Sequence, residues 1–481
     1  MTDEPLASRT FNIADQIAFA RLSSDWNPMH LDQDFARRSQ VGAPVVHGIH
    51  TLAWSANAVL GSFPLKILSL RARFSQPLYL DESASVRIRH RTDTRIEFEV
   101  VATETVVATV RLSLEPAKFA ALNTQLAPSA PARLSEPADL PFHLLVNQAG
   151  AIAVGDGEVG LLFPALADSI GSSAVKALLA TSAVVGMACP GLYSLFAGLD
   201  LNRVPENEPE AVLAYAVSKA DARFRSLQIE VSGCGIAGRL ETFARPAPPS
   251  QPQMNEISPR VTGRPFAGQK SLIVGGSRGL GEVTAKIVAA GGGHPVISYR
   301  DSQHDAERVA ADILGAGGQC EILRYDALSP ASAQLKGLGA VDCCYFFATP
   351  KIFQRKSALF EPGKLRAFMG FYADGFFDLC TALEHDGPGK LGIFYPSTVA
   401  IDERVSTTAE YAMAKMAGEV LANYINEFMP GIGVICRRLP RILTDQTATV
   451  GVASAANALD VMLPIVYEVQ RMAQPDPGRR G

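Results

Sequence analysis

Three stretches near the start of the chain alternate apolar and polar residues with a period of two. They are Ala84-Ser-Val-Arg-Ile-Arg-His90, Ile96-Glu-Phe-Glu-Val-Val101 and Val106-Val-Ala-Thr-Val-Arg-Leu-Ser-Leu114. That period predicts strands with one face on a core. Ahead of them, an apolar helical stretch opens at His47-Gly48. A long helix followed by antiparallel strands is buried only if the sheet curls around it. The order recurs. His47-Gly48-Ile-His-Thr-Leu52 corresponds to Pro190-Gly191-Leu-Tyr-Ser-Leu195, each predicted to open an apolar helical stretch. Ala72-Arg73-Phe74 corresponds to Ala222-Arg223-Phe224, each predicted to open a strand.

After about residue 266 the rhythm changes to strand, turn, helix. Ser271-Leu-Ile-Val274, Pro295-Val-Ile-Ser-Tyr299 and Cys320-Glu-Ile-Leu-Arg-Tyr325 read as strands, with a helix from about Leu280. This is the pattern of a parallel, doubly wound sheet. Between the two patterns, residues 246–265 are rich in proline and polar side chains and read as a linker. A weaker break at 127–133 divides the first part. The expected blocks are 8–120, 140–245 and 266–475.

Composition narrows the class. A length of 481 residues is too great for one ordinary core. A formal charge of −4 offers no basic footprint for nucleic acid. Seven scattered cysteines without Cys-x-x-Cys spacing fit a reduced, cytoplasmic protein and no zinc site. The start, Met-Thr-Asp-Glu-Pro, has no signal-peptide pattern. Residues 177–199 carry no charge and are long enough to span a bilayer, but Cys189-Pro190-Gly191 and small polar residues favour a buried core helix over a membrane segment.

The chemistry begins at Asp25-Trp-Asn-Pro-Met-His30, followed by His47-Gly48. A carboxyl and an imidazole can share the proton removal and proton donation of a reversible water elimination. Asp25 is assigned to the hydroxyl or water, and His30 to the α-carbon proton or to orienting that water. Gly48 opens a helix, so its N–H and the helix dipole favour a developing enolate oxygen. Asn27-Pro28 supplies a turn that points Asp25 and His30 inward. On Asp25, Asn27, Pro28, His30, Asp32, His47 and Gly48, residues 11–115 resemble the MaoC-type (R)-specific enoyl-thioester hydratase/dehydratase family, a hot-dog fold. The resemblance implies that Asp25 and His30 are its catalytic pair. It also implies a double hot dog over 8–245, whose second half lacks the motif, completes the sheet and makes room for an acyl chain. A helix serine often found in this family is Ala56 here, beside Ser55, and His47 is expected to support the loop.

A second signature lies downstream. Val274-Gly-Gly-Ser-Arg-Gly-Leu-Gly281 follows a strand and opens a helix. Gly275, Gly279 and Gly281 let the backbone approach a pyrophosphate, with Ser277 and Arg278 in the same loop. Tyr411-Ala-Met-Ala-Lys415 places a phenol and an ammonium on one helix face, where the cation can lower the phenol's pKa. Ser397 or Thr398, after the strand 391–395, would orient a carbonyl. Together these residues resemble the short-chain dehydrogenase/reductase family over 266–475. The resemblance puts Asp326 against adenine. Arg278 and Arg300 suggest a 2′-phosphate partner, hence NADPH over NADH. Phe346-Phe347-Ala348-Thr349 and Tyr372 stand where that family has Asn-Asn-Ala-Gly and a helix asparagine, and Val274 where it has threonine.

The expected architecture is therefore an α+β double hot dog followed by an α/β Rossmann-type sheet. The expected function is a bifunctional 3-oxoacyl-thioester reductase and 3-hydroxyacyl-thioester dehydratase in fatty-acid-like or polyketide-like synthesis. Its substrate would ride on acyl carrier protein or CoA, and Arg37 and Arg38 could meet phosphates at the site mouth. The alternatives are a degradative hydratase and dehydrogenase, a dehydratase with an inert nucleotide-binding domain, and a non-enzymatic binding protein. Both resemblances imply a homodimer.

Overall fold

A computed structural model of the chain describes residues 4–39, 41–117, 131–132, 134–205, 211–352, 355, 358–384, 390–442, 444 and 455–473. The expected break at 127–133 and the ends of two expected blocks, at 118–120 and 474–475, fall wholly or mainly outside them. The chain divides into two compact units, one ending at Ala247 and the other beginning at Pro248.

The first unit holds one ten-stranded antiparallel sheet. Its first five strands are β1 (Ala7–Thr10), β2 (Ser69–Phe74), β3 (Ser83–Arg91), β4 (Arg95–Ala102) and β5 (Thr105–Ser113). The next five are β6 (Ala149–Ala153), β7 (Ser194–Arg203), β8 (Val212–Asp221), β9 (Ser226–Gly233) and β10 (Ile236–Ala244). The order β1-β3-β4-β5-β2-β7-β10-β9-β8-β6 is the same five-strand arrangement written twice, joined where β2 pairs with β7. Alternation does what period two requires: Val86, Phe98, Val100, Val110 and Leu112 are buried. Each half supplies a long apolar helix, Gly48–Ser62 and Ser172–Ala183, the second continuing as a π-helix over Val184–Ala188. Ile49, Leu52 and Val59 from one, and Leu178 and Val184 from the other, share a single core.

The topology corrects the sequence alignment of the repeat. Pro190-Gly191 does not open a helix; it follows one and leads into β7. Ala72-Arg73-Phe74 ends β2, while Ala222-Arg223-Phe224 lies in the turn between β8 and β9. A glycine beside apolar residues serves at either end of a helix, and the short matching strings did not distinguish the two. The apolar run 177–199 is accordingly helical as far as Ala188 and enters β7 at Ser194, and is buried through most of its length. Among the described residues no single helix is long and apolar enough to cross a membrane.

The second unit is a six-stranded parallel sheet. Its strands are β11 (Lys270–Val274), β12 (His294–Tyr299), β13 (Glu321–Arg324), β14 (Cys343–Phe346), β15 (Leu391–Thr398) and β16 (Ile432–Leu439), in the order β13-β12-β11-β14-β15-β16. The order reverses between β11 and β14, which opens a crevice beyond the carboxyl ends of those strands. One apolar layer contains the helices Gly279–Ala290 and Ala458–Met472, and another the helices Gly375–Leu383 and Ala409–Phe428. The stretch read as a linker is structured in part. Met254, Ile257 and Val261 are buried in this unit's core, because apolar residues among the prolines anchor that end.

Candidate functional site

In the first unit, Asn27 builds the turn expected of it. Its side chain accepts from Met29 N at 3.0 Å, with Pro28 in the first helical position. Its amide nitrogen donates to Gly186 O at 2.7 Å, docking the loop on the π-helix of the second half. Asp25 and His47 are buried, and His30 and Gly48 are half-buried. Asp25, His30 and His47 each offer one donor atom, all within 4.8 Å of one another. The two imidazoles stack at 3.8 Å between centroids. Stacked rings carry their in-plane lone pairs side by side, which does not suit chelation of one ion. Asp32 caps the next short helix, accepting from Asp34 N and Phe35 N.

Sequence reasoning missed three participants. Ser182 Oγ donates to Asp25 Oδ2 at 2.6 Å. Gly186 lies so close that a Cβ there would sit 2.4 Å from Asp25 Oδ1. Arg245, at the end of β10, lies near enough to act electrostatically on His30. All three come from the half without the motif. No sequence signal pointed to Ser182 or Gly186, because their partner is more than 150 residues away.

Burial pushes the Asp25 carboxyl above its usual range, against the opposing pull of His30 and the Ser182 hydrogen bond. Burial pulls His30 down, with Asp25 acting the other way. His30 Nδ1 lies 2.8 Å from Val45 O, a pure acceptor, so Nδ1 carries the proton and Nε2 holds the lone pair. Gly48 opens its 15-residue helix with no side-chain cap, leaving first-turn N–H groups for a ligand. Packing of the Phe74 ring 3.3 Å from the site of a Gly48 Cβ shows why a small residue stands there. A separate apolar cavity, lined by Ile67, Leu178, Leu201 and Ile236 among others, shares no residue with this cluster. Arg37 pairs with Asp34 at 3.4 Å.

In the second unit the glycine loop lies at the crevice. Gly275 has φ +80 and a Cβ there would meet the Phe347 backbone at 3.1 Å, while one on Gly281 would lie 2.2 Å from Gly275 O. Such closeness is what lets backbone N–H groups approach a phosphate. Ser277 is buried, and Arg278 is the N-cap of the following helix. Asp326 follows β13 and accepts from Leu328 N at 3.0 Å. Arg300 is ion-paired to Asp301 at 2.6 Å, so part of its charge is already answered.

Tyr411 is hydrogen-bonded to Thr398. Ser397 instead donates to Glu419. This corrects the assignment of Ser397 to the site: neighbouring residues of a strand point to opposite faces, so only one of the pair can meet Tyr411. The expected lowering of the phenol is also overturned. Burial raises Tyr411, with the Thr398 hydrogen bond opposing it. Burial brings Lys415 down to about 7, so its own charge is weakened. Lys415 Nζ donates to Pro396 O at 2.6 Å and sits 3.9 Å from the centre of the Tyr372 ring. Tyr372, fully buried, hydrogen-bonds Thr349 through its hydroxyl at 2.5 Å and occupies that place with an aromatic face.

Residues 2–111 match the MaoC like domain family. The peroxisomal multifunctional enzyme type 2 of Mus musculus is 32% identical over 116 residues, covering 23% of this chain and 16% of that protein. An (R)-specific enoyl-CoA hydratase of Aeromonas caviae is 33% identical over 81 residues, 17% of this chain and 54% of that one. A tetrahydroxynaphthalene reductase of Pestalotiopsis fici is 28% identical over 176 residues, 33% of this chain and 60% of that one. The chain joins a MaoC-like domain to a segment similar in sequence to oxidoreductases. It spans about a sixth of the length of the multifunctional enzyme.

Proposed function

We propose that the chain is bifunctional: it reduces a 3-oxoacyl thioester in the second unit and dehydrates the (R)-3-hydroxyacyl product in the first. The observation that carries the reading is the opposed displacement of Asp25 and His30 within one buried cluster beside the Gly48 helix end. A carboxyl pushed up and an imidazole pulled down are displaced in the directions that an acid and a base require. In dehydration His30 Nε2 takes the α-proton. The Gly48 N–H holds the thioester oxygen as the enolate forms. Asp25 gives its proton to the leaving hydroxyl, the C–O bond breaks and water departs. The fold supporting both halves is read as a double hot dog.

The glycine cradle fits a nicotinamide dinucleotide, which supplies hydride when bound. Gly275, Ser277, Arg278, Gly279, Gly281 and Asp326 would hold it. Tyr411 gives a proton to the ketone oxygen, Thr398 hydrogen-bonds that oxygen, and Lys415 orients the ribose. Arg278 and Arg300 support NADPH over NADH. The Arg300–Asp301 pair weakens that preference and keeps a second reading in view, the reverse sequence of hydration and NAD-linked oxidation. The substrate is an acyl thioester on carrier protein or CoA, in biosynthesis in the cytoplasm. Joining the sites raises the local concentration of the shared intermediate. The homodimer is supported by the helix Ala409–Phe428, whose Met413, Met416, Val420, Tyr424 and Phe428 form an exposed apolar row.

The test is incubation of the intact protein with acetoacetyl-CoA and either NADPH or NADH, followed by mass. Gain of two hydrogens and then loss of water, faster with NADPH, is expected. No reduction with either cofactor defeats the bifunctional reading.

A further inference from the structure

Lys415 is a buried amine without a counter-charge. It is 4% exposed, and among the described residues no carboxylate pairs with it. Glu419, one turn further along the same helix, is spent on Arg438 at 2.7 Å and on Ser397. Cys436, on the neighbouring β16, is pushed up to about 11 by burial and stays a neutral thiol at neutral pH. Burial likewise raises Tyr372, Tyr395 and Tyr411, so none of these phenols is an anion there. One carbonyl and two aromatic rings face the amine instead. Nζ donates to Pro396 O at 2.6 Å, and it lies 3.9 Å from the centre of the Tyr372 ring and 4.9 Å from that of Tyr395. A ring face attracts a cation through its quadrupole, and more strongly where water is excluded.

The Tyr372 ring is fixed for this contact at both ends. Its hydroxyl lies 2.5 Å from Thr349 Oγ1, which itself donates to Pro350 O at 3.0 Å. A hydroxyl has one proton to give, so Tyr372 is the donor to Thr349. The main-chain oxygen of Tyr372 accepts from the Tyr395 hydroxyl at 3.1 Å, and Gly418, lacking a side chain, leaves room for that hydroxyl. Tyr372 stands in a single π-helical turn, Gly370–Asp374, a local departure found often at functional sites. We propose that Tyr372 is a positioning residue: its ring face, backed by Tyr395, holds the Lys415 ammonium in place and charged, with an N–H left for the cofactor. An ammonium has three N–H groups, enough for the Pro396 oxygen, the ring and a ribose hydroxyl, whereas a neutral amine has two. Burial works against the charge, and the ring offsets part of that cost without the ion pair that would cancel it. The link to the cofactor rests on the reading of the second unit as a reductase in which Lys415 orients the ribose.

The test combines carbon-13 NMR of the full chain labelled at lysine Cε, with Lys415 assigned by difference against Lys415→Met, and NADPH binding measured by fluorescence across the same pH range. Without cofactor, the Lys415 titration midpoint in Tyr372→Leu is expected about one pH unit below wild type. Tyr372→Phe, which keeps the ring and loses the hydroxyl, recovers the midpoint to within a few tenths. NADPH affinity in Tyr372→Leu falls by up to about tenfold above both midpoints, while hydration by the first unit is unaffected. Tyr372→Met repeats the measurement if Tyr372→Leu does not fold. A midpoint in the folded leucine or methionine variant equal to or above wild type overturns the hold of the ring on the charge. A phenylalanine variant that falls as far assigns the effect to the Thr349 hydrogen bond and overturns it too. A midpoint that moves while NADPH affinity does not overturns the link to the cofactor. A wild-type protein that binds neither NADPH nor NADH defeats the reading of the second unit as a reductase, and the Lys415 titration then still decides the role of the ring.

Discussion

The half of the first unit without the motif shapes the site, and Gly186→Ala tests this directly. A methyl group at that position would lie 2.4 Å from Asp25 Oδ1, 2.7 Å from Oδ2 and 2.8 Å from Cγ. Ordinary contact begins near 3.4 Å, so the carboxyl must retreat by about 1 Å. It cannot do so freely, because Ser182 holds Oδ2 and Asn27 N holds Oδ1. A displacement of about 1 Å at a reacting group costs on the order of 10²-fold in rate, or about 2.7 kcal/mol of transition-state stabilisation. The assay is hydration of crotonyl-CoA, followed by loss of the enoyl-thioester absorbance. The reductase activity of the same preparation serves as the control, since Gly186 belongs to the other unit. The expected result is a hydratase kcat/KM lowered about a hundredfold with reduction intact. Hydration within twofold of wild type in a variant of unchanged melting temperature would refute the claim that the second half constrains Asp25.

Three further outcomes follow from the geometry. Ser182→Ala removes the donor from Asp25 Oδ2 and is expected to lower hydratase activity about tenfold and stability by roughly 1–2 kcal/mol, checked by kinetics beside thermal melts. Thr398→Ala is expected to lower reduction of acetoacetyl-CoA on the order of 10²-fold, whereas Ser397→Ala leaves it within a few-fold but lowers the melting temperature, because Ser397 serves Glu419; equal losses in the two variants would contradict the facing of β15. Burial holds Lys415 at about 7 in the folded protein, below the roughly 10.4 of a lysine in an unfolded chain, so between those pH values the unfolded chain binds more protons and stability rises with pH. Urea denaturation of the second unit from pH 7 to 9 should show a contribution approaching about 1.4 kcal/mol per pH unit, absent in Lys415→Met.

Much of this protein was legible in one dimension because the relevant physics is local. Period-two alternation predicted β3, β4 and β5, since the pleat repeats every second residue. The glycine loop announced the crevice, and the spacing of Tyr411 and Lys415 placed both on one helix face. Asp25 and His30 could be paired because a single Asn-Pro turn separates them. What the tertiary structure decided depends on contacts between distant segments. Ser182 and Gly186 reach Asp25 across about 160 residues, and Gln16 reaches His47 across 31. The second half aligns with the first in strand order, yet the short strings that suggested the repeat do not superpose, because topology is set by which strands pair and not by which glycines recur. Ser397 and Thr398 were equivalent in sequence and separated only by the face of the strand each side chain takes. Sequence thus determined which chemical groups the chain possesses and which local elements carry them; folding determined their partners, and through burial and hydrogen bonding, where their protons reside.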